Sequence, residues 1–90
     1  MMTTLAVRHT VADFDAWRVA FEEHGANRKE HGLLTDTVLR ADDAPNDVLI
    51  LMTWPSAADA QGFLDDPSLR EAMARAGVVG APRIELYEEA

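Results

Sequence analysis

Five consecutive apolar residues, Val48-Leu49-Ile50-Leu51-Met52, make both faces of whatever they form greasy. The run is too short for a helix. Pro45-Asn46-Asp47 precedes it and Trp54-Pro55 closes it, so it reads as a β-strand. Helices can cover one face of its sheet. A chain of 90 residues has little left to cover the other. An exposed Leu forgoes roughly 1.5–3 kcal/mol, so the expected cover is a second copy of the chain. At this size only about 60–65% of the unfolded surface is buried on folding. A partner subunit would therefore add materially to stability.

The chain has the length of one domain, residues 1–90. Its 48% apolar and 27% charged content is that of a soluble globular protein. There is no cysteine, which excludes disulfides and thiol chemistry. Met1-Met2-Thr3-Thr4-Leu5 lacks the basic region and long apolar run of a signal peptide, and no segment is long enough to span a bilayer. The expected location is the cytoplasm. The net charge of −8 repels phosphate backbones and anionic lipid, so neither a nucleic-acid nor a membrane partner is expected. The acids are dispersed along the chain, as solubility alone would have them.

Thr4 to Thr10 alternates, with Leu5, Val7 and His9 on one face, and predicts a first strand. Asp13 is suited to cap a helix that runs to about Glu30, with Gly32 as its stop. Leu33 to Arg40 reads as a second strand. The Ala41–Asp47 segment reads as a turn leading into the third, Val48 to Trp54. Ser56 to Asp59 has capping-box spacing and starts a second helix. Asp66-Pro67 starts a third, which Gly77 closes. Val78 to Pro82 reads as a connector and Arg83 to Glu88 as the last strand. The order βαββααβ predicts an α+β, ferredoxin-like fold with a four-stranded antiparallel sheet and helices on one face. The third strand belongs near the middle. Alternation puts Val48, Ile50, Met52 and Trp54 on one side of it and Leu49, Leu51 and Thr53 on the other. We expect Leu49 and Leu51 against the helices and Trp54 at the seam with the partner.

The layout resembles the dimeric α/β-barrel superfamily. That group includes cofactor-free monooxygenases of antibiotic biosynthesis, haem-degrading enzymes, muconolactone isomerase-like proteins and stress-responsive barrel proteins. The resemblance is carried by His9-Thr10-Val11-Ala12-Asp13-Phe14-Asp15-Ala16-Trp17, by Trp54-Pro55-Ser56, by Phe63-Leu64 and by Ala76-Gly77-Val78. It implies a homodimer packed face to face through its sheets, with a pocket in each subunit between sheet and helices. Haem degraders of this fold use a Trp and a His on later helices. Here those helices carry neither, so haem chemistry is not expected, and the expectation is an enzyme without cofactor.

Candidate chemistry concentrates on the first helix. Phe14, Trp17, Phe21, His24, Arg28 and His31 recur at steps of three and four, one stripe that begins aromatic and ends polar. On the structural reading the aromatics are core and the polar end is where the helix clears the sheet. On the functional reading His24 and Arg28 form the polar end of an aromatic-walled pocket. His24 would shuttle a proton and Arg28 would anchor a carboxylate or polarise a carbonyl. His9 shares the face of Leu5 and Val7, and would point into the same cavity if that face looks at the helices. Trp17, Phe21, Phe63 and Met73 would be walls. His24 and His31 are separated by about 10.5 Å of helical rise, too far to chelate one ion. No phosphate-cradling glycine motif or serine elbow is present.

The expected function is a small cofactor-independent enzyme, of monooxygenase or cyclase/isomerase type, acting on a hydrophobic and aromatic or polyketide-like molecule. The catalytic candidates are His24 and His9. The substrate-binding candidates are Trp17, Phe21, Arg28, Phe63 and Met73. The alternative is a non-catalytic dimer that binds a small ligand or serves in a stress response.

Overall fold

A computed structural model describes residues 2–90. Its elements run β1 (Thr3–Val11), α1 (Phe14–Glu23), α2 (Gly25–Glu30), β2 (Thr35–Ala41), β3 (Ala44–Trp54), α3 (Ala57–Leu64), α4 (Pro67–Arg75) and β4 (Val78–Glu88). The four strands form one antiparallel sheet in the order β2-β3-β1-β4, the expected ferredoxin-like arrangement. The two-faced apolar strand lies inside the sheet, between β2 and β1. No helix among the described residues is long and apolar enough to cross a membrane.

Local chemistry sets the helix boundaries. Asp13 caps α1 by accepting the Asp15 N–H, and Ser56 caps α3 by accepting the Asp59 N–H. Asp66 caps α4, whose first residue is Pro67. Gly32 and Gly77 follow α2 and α4 with φ of +99° and +81°, a left-handed turn that side chains with a Cβ resist. At the second of these turns the Gly77 carbonyl accepts from the Ala12 N–H at 2.9 Å, tying the end of α4 to the start of α1.

Four expectations are corrected. The helix predicted over residues 13–30 is two helices, broken at His24, which closes α1 and opens α2 with ψ near 3°. Gly25, a poor helix former, follows the break. The predicted turn at 41–47 shrinks to Asp42-Asp43, because Ala41 pairs with Ala44 across a register shift and β3 starts there. Pro45 is tolerated because β1 pairs with β3 only from Asp47 onward. The connector at 78–82 is strand. Five residues of β4, from Val79 to Arg83, span what the three from Thr10 to Arg8 span in β1. The slack is a bulge that holds Gly80 at φ +74°.

The fourth correction concerns the faces of β3. Val48, Ile50, Met52 and Trp54 are all buried against the helices, and Leu49 and Leu51 lie half-buried on the open side. The register explains it. Met52, Ile50 and Val48 stand opposite Leu5, Val7 and His9 of β1, and directly opposed residues share a face. Trp54 is drawn inward by Phe63 of α3, on which it stacks with ring centroids 5.2 Å apart. The core is built on this face from Leu5, Val7, Val11, Trp17, Ile50, Met52 and Trp54, with Ala60 and Phe63 from α3. The opposite face presents Ala6, Leu39, Leu49, Leu51 and Tyr87 with no helix over them.

Candidate functional site

Between the sheet and the helices lies an apolar cavity of about 50 Å³. His9, Val7, Ile50 and Met52 form its floor from β1 and β3, and Trp17, Phe21, His24 and Arg28 one wall from α1 and α2. Phe63 and Met73 stand on the far wall, from α3 and α4. All seven residues singled out in the sequence therefore border the same space.

The aromatic wall is continuous. Trp17 stacks on Phe21 with centroids 4.9 Å apart, and Phe14 lies 5.6 Å from Trp17 on the other side. The guanidinium of Arg28 then covers Phe21, 3.6 Å from the ring centroid. This cation–π contact carries the stripe past the break at His24. Arg28 is almost fully buried, and its Nε has no hydrogen-bond partner among the described residues. The nearest carboxylate, Asp36 on β2, is 4.0 Å away. Burial lowers the Arg28 pKa from its ordinary value, with Asp36 opposing.

His9 is the most isolated polar group in the core. It is 7% exposed and meets Trp17 edge-on at 5.6 Å, and neither ring nitrogen has a hydrogen-bond partner among the described residues. Burial pushes its pKa below the ordinary 6.5, so the ring is neutral at pH 7. A neutral imidazole offers one donor and one acceptor to whatever enters the cavity.

His24 is half-buried and differs in having a partner. Its Nε2 lies 3.4 Å from the Ser68 hydroxyl. Burial lowers its pKa first, then the charge of Arg28, while Asp66 pulls it back up. His24 and His9 thus face one cavity, and no hydrogen bond joins them in the described structure.

A protein with this topology, cavity and aromatic wall is comparable with known structures. The chain matches SnoaB, a cofactor-independent oxygenase from Streptomyces nogalater, with a TM-score of 0.82 at 18% identity, covering 99% of this chain and 93% of that one. The chain shares that protein's fold. A protein from Caulobacter crescentus CB15 assigned by inference to the antibiotic biosynthesis monooxygenases gives a TM-score of 0.79 at 19% identity, over 99% of this chain and 90% of that one. A protein from Bordetella bronchiseptica assigned in the same way gives 0.82 at 10% identity, over 99% and 97%. No family model and no curated protein matches the chain.

Within this fold, one polar group of residues escapes the sequence reading. Asp66, taken there only as a cap, accepts from the Asn27 amide at 2.9 Å, from His31 Nε2 at 2.8 Å and from the Ser68 N–H at 2.9 Å. These bonds, the Asn27 one foremost, hold its carboxyl well below the usual carboxylate range. His31 is thereby a structural clamp between α2 and α4. It leaves the cavity to His24. The cap at Asp66 was legible in the Asp66-Pro67 pair. Its partners were not, since they arrive from a helix that docks from 35 or more residues away. No group of three or more metal-ligating side chains occurs among the described residues.

Proposed function

We propose that the protein is a small cofactor-independent enzyme acting on a hydrophobic, aromatic small molecule held between sheet and helices. The carrying observation is His9, a neutral imidazole with two unpaired nitrogens in an otherwise apolar chamber. Burying such a group without partners costs about 1–3 kcal/mol. That cost is recovered when a ligand hydroxyl or carbonyl reaches the ring. The aromatic walls suit a planar substrate, and the buried Arg28 suits a carbonyl or carboxylate at its edge. The likeness to SnoaB supports oxygenation as the reaction class.

On this reading the imidazoles do the proton work. A neutral His9 or His24 removes a proton from an acidic carbon or phenolic oxygen, and the resulting enolate is the electron donor. With dioxygen as co-substrate, a methylene becomes a carbonyl. One oxygen atom stays on carbon and the other leaves as water with the two hydrogens. Without dioxygen, returning the proton at a different carbon is isomerisation, or cyclisation where the enolate attacks a carbonyl. The cavity is small beside the ~150 Å³ that accommodates benzene. A ligand of that size therefore needs the cavity to widen.

The open sheet face supports a homodimer. Leu39, Leu49 and Leu51 are contiguous there, since Leu39 stands opposite Leu49. A twin sheet packed on them would remove them from water. The enzyme reading is tested by identifying a co-purifying ligand by mass spectrometry and following its turnover and oxygen uptake. Losing a general base costs about 10²–10⁴-fold, and His24→Ala or His9→Phe is expected to fall in that range. Equal turnover in His24→Ala removes His24 from the mechanism. A ligand that the wild type binds and never converts makes the protein a binder.

A further inference from the structure

We infer that the groove between α4 and β4 is the outer half of the ligand site, and that an elongated aromatic ligand lies astride the side chains that divide this groove from the His9 chamber. The inference rests on the reading of that chamber as a substrate site. It starts from a misfit of size. The chamber holds about 50 Å³, against the ~150 Å³ of a cavity that takes benzene. Between α4 and β4 lies an open groove of about 730 Å³. Leu64, Leu69 and Met73 border both spaces, so these three side chains are the partition between them. Each is half-buried, as a wall with solvent on one side must be.

The partition can move while its helix stays in place. α4 has no fully buried residue. It is tied at its ends, where Asp66 accepts from Asn27 and His31 and the Gly77 carbonyl accepts from the Ala12 N–H. Leu69 and Met73 lie between those ties. Met73 is unbranched, with three rotatable bonds, and can swing aside without a shift of the backbone. The walls decide which end of the ligand points inward. Inside are His9, with two unpartnered ring nitrogens, and the buried Arg28, so an oxygen-bearing end belongs there. Outside, Val78, Pro82 and Ile84 are apolar, and the charged side chains are Asp65, Asp66 and Arg70. Two carboxylates against one guanidinium disfavour an anion, so the outer end is a neutral hydrocarbon. Ile84 stands opposite Val7, on the helix side of the sheet, so a twin sheet on the other face leaves the groove open.

Phenol and 4-phenylphenol, titrated by calorimetry and followed by methyl NMR, test this. Phenol is expected to bind in the chamber, with nuclear Overhauser contacts to the Val7 and Ile50 methyls. 4-Phenylphenol is expected to bind at least about tenfold tighter, from the added buried ring. Its hydroxylated ring should contact Val7 and Ile50, and its plain ring Val78 and Ile84, which border the groove alone. Ala74→Trp fills the groove from an exposed position on α4. It is expected to erase the gain of 4-phenylphenol over phenol and to leave phenol binding unchanged. Contacts of both rings with Val7 and Ile50 alone, or with Val78 and Ile84 alone, overturn the inference, as does a gain that survives Ala74→Trp. Those results leave the chamber reading standing. Phenol that does not bind, or that binds equally well to His9→Phe, sinks the chamber reading and the groove with it.

Discussion

His31 Nε2 lies 2.8 Å from Asp66 Oδ2, so the end of α2 is bonded to the start of α4 across the mouth of the helical layer. The bond makes the helical cover sensitive to acid. The Asp66 carboxyl titrates near 3.8 in the unfolded chain and well below that in the fold, where Asn27, His31 and Ser68 all donate to it. A depressed folded pKa stabilises the native state fully above about pH 4 and progressively less as pH falls further. Urea unfolding between neutral pH and strong acid is expected to show that loss in the wild type. Asp66→Asn keeps a capping oxygen but no charge. It is expected to be less stable at neutral pH and flatter in acid. The same acid slope in both proteins would remove Asp66 from the account.

His9 gives a second pH dependence, at a different place. Burial lowers its pKa from 6.5, so between that value and its native one the unfolded chain binds the extra proton. Stability is complete above about pH 6.5 and declines as pH falls below it. His9→Phe removes both unpaired nitrogens and keeps an aromatic ring beside Trp17. It is expected to be as stable as the wild type or more so, by about 1 kcal/mol. It should also weaken the slope between about pH 7.5 and 5.5, measured by urea unfolding. The residual slope belongs to His24, which is shifted the same way. A loss of several kcal/mol in His9→Phe would mean that the imidazole has a structural partner.

Arg28 separates packing from charge. Its buried side chain lies over Phe21, and its carboxylate neighbour Asp36 is half in solvent at 4.0 Å. An ion pair of that length contributes little, and removing the arginine leaves Asp36 free to be hydrated. Arg28→Met, which preserves the stem, is expected to stay within about 1 kcal/mol of wild type. Arg28→Ala opens a void over Phe21 and is expected to cost about 2–3 kcal/mol. Thermal melts with chemical unfolding measure both. Equal, large losses in the two variants would show that charge rather than packing holds the residue.

How far the site was legible in the sequence follows from the kind of order involved. Steps of three and four along one helix place Phe14, Trp17 and Phe21 together, and no tertiary detail disturbs that. Alternation in β1 put His9 with Leu5 and Val7, and the cavity followed once the helices took that face. The face of β3 was not legible, because every residue from Val48 to Met52 is apolar and either side satisfies burial. Only the register against β1 and the Trp54–Phe63 stack decide it. The break at His24 was hidden for a different reason. A glycine weakens a helix by only about 1 kcal/mol, so Gly25 does not by itself announce a stop. The Asp66 cluster depends on two helices meeting, which no local pattern encodes.

The corrected face of β3 yields the last prediction. Leu51 stands on the open side of the sheet, opposite Ala6 of β1 and Thr37 of β2. In a two-fold dimer joined through that face it is buried twice, once per subunit. At roughly 1.5–3 kcal/mol per leucine side chain, placing a charge there should raise the dimer Kd by about 10²–10⁴-fold. Sedimentation velocity on Leu51→Lys is expected to find monomer at concentrations where the wild type is dimeric. Ile84→Lys is the control, because Ile84 is exposed at the β4 edge on the helix side, opposite Val7. It should leave the dimer intact. Wild-type protein that sediments as a 9.9 kDa monomer at micromolar concentration would overturn the dimer. The open leucines would then need another cover.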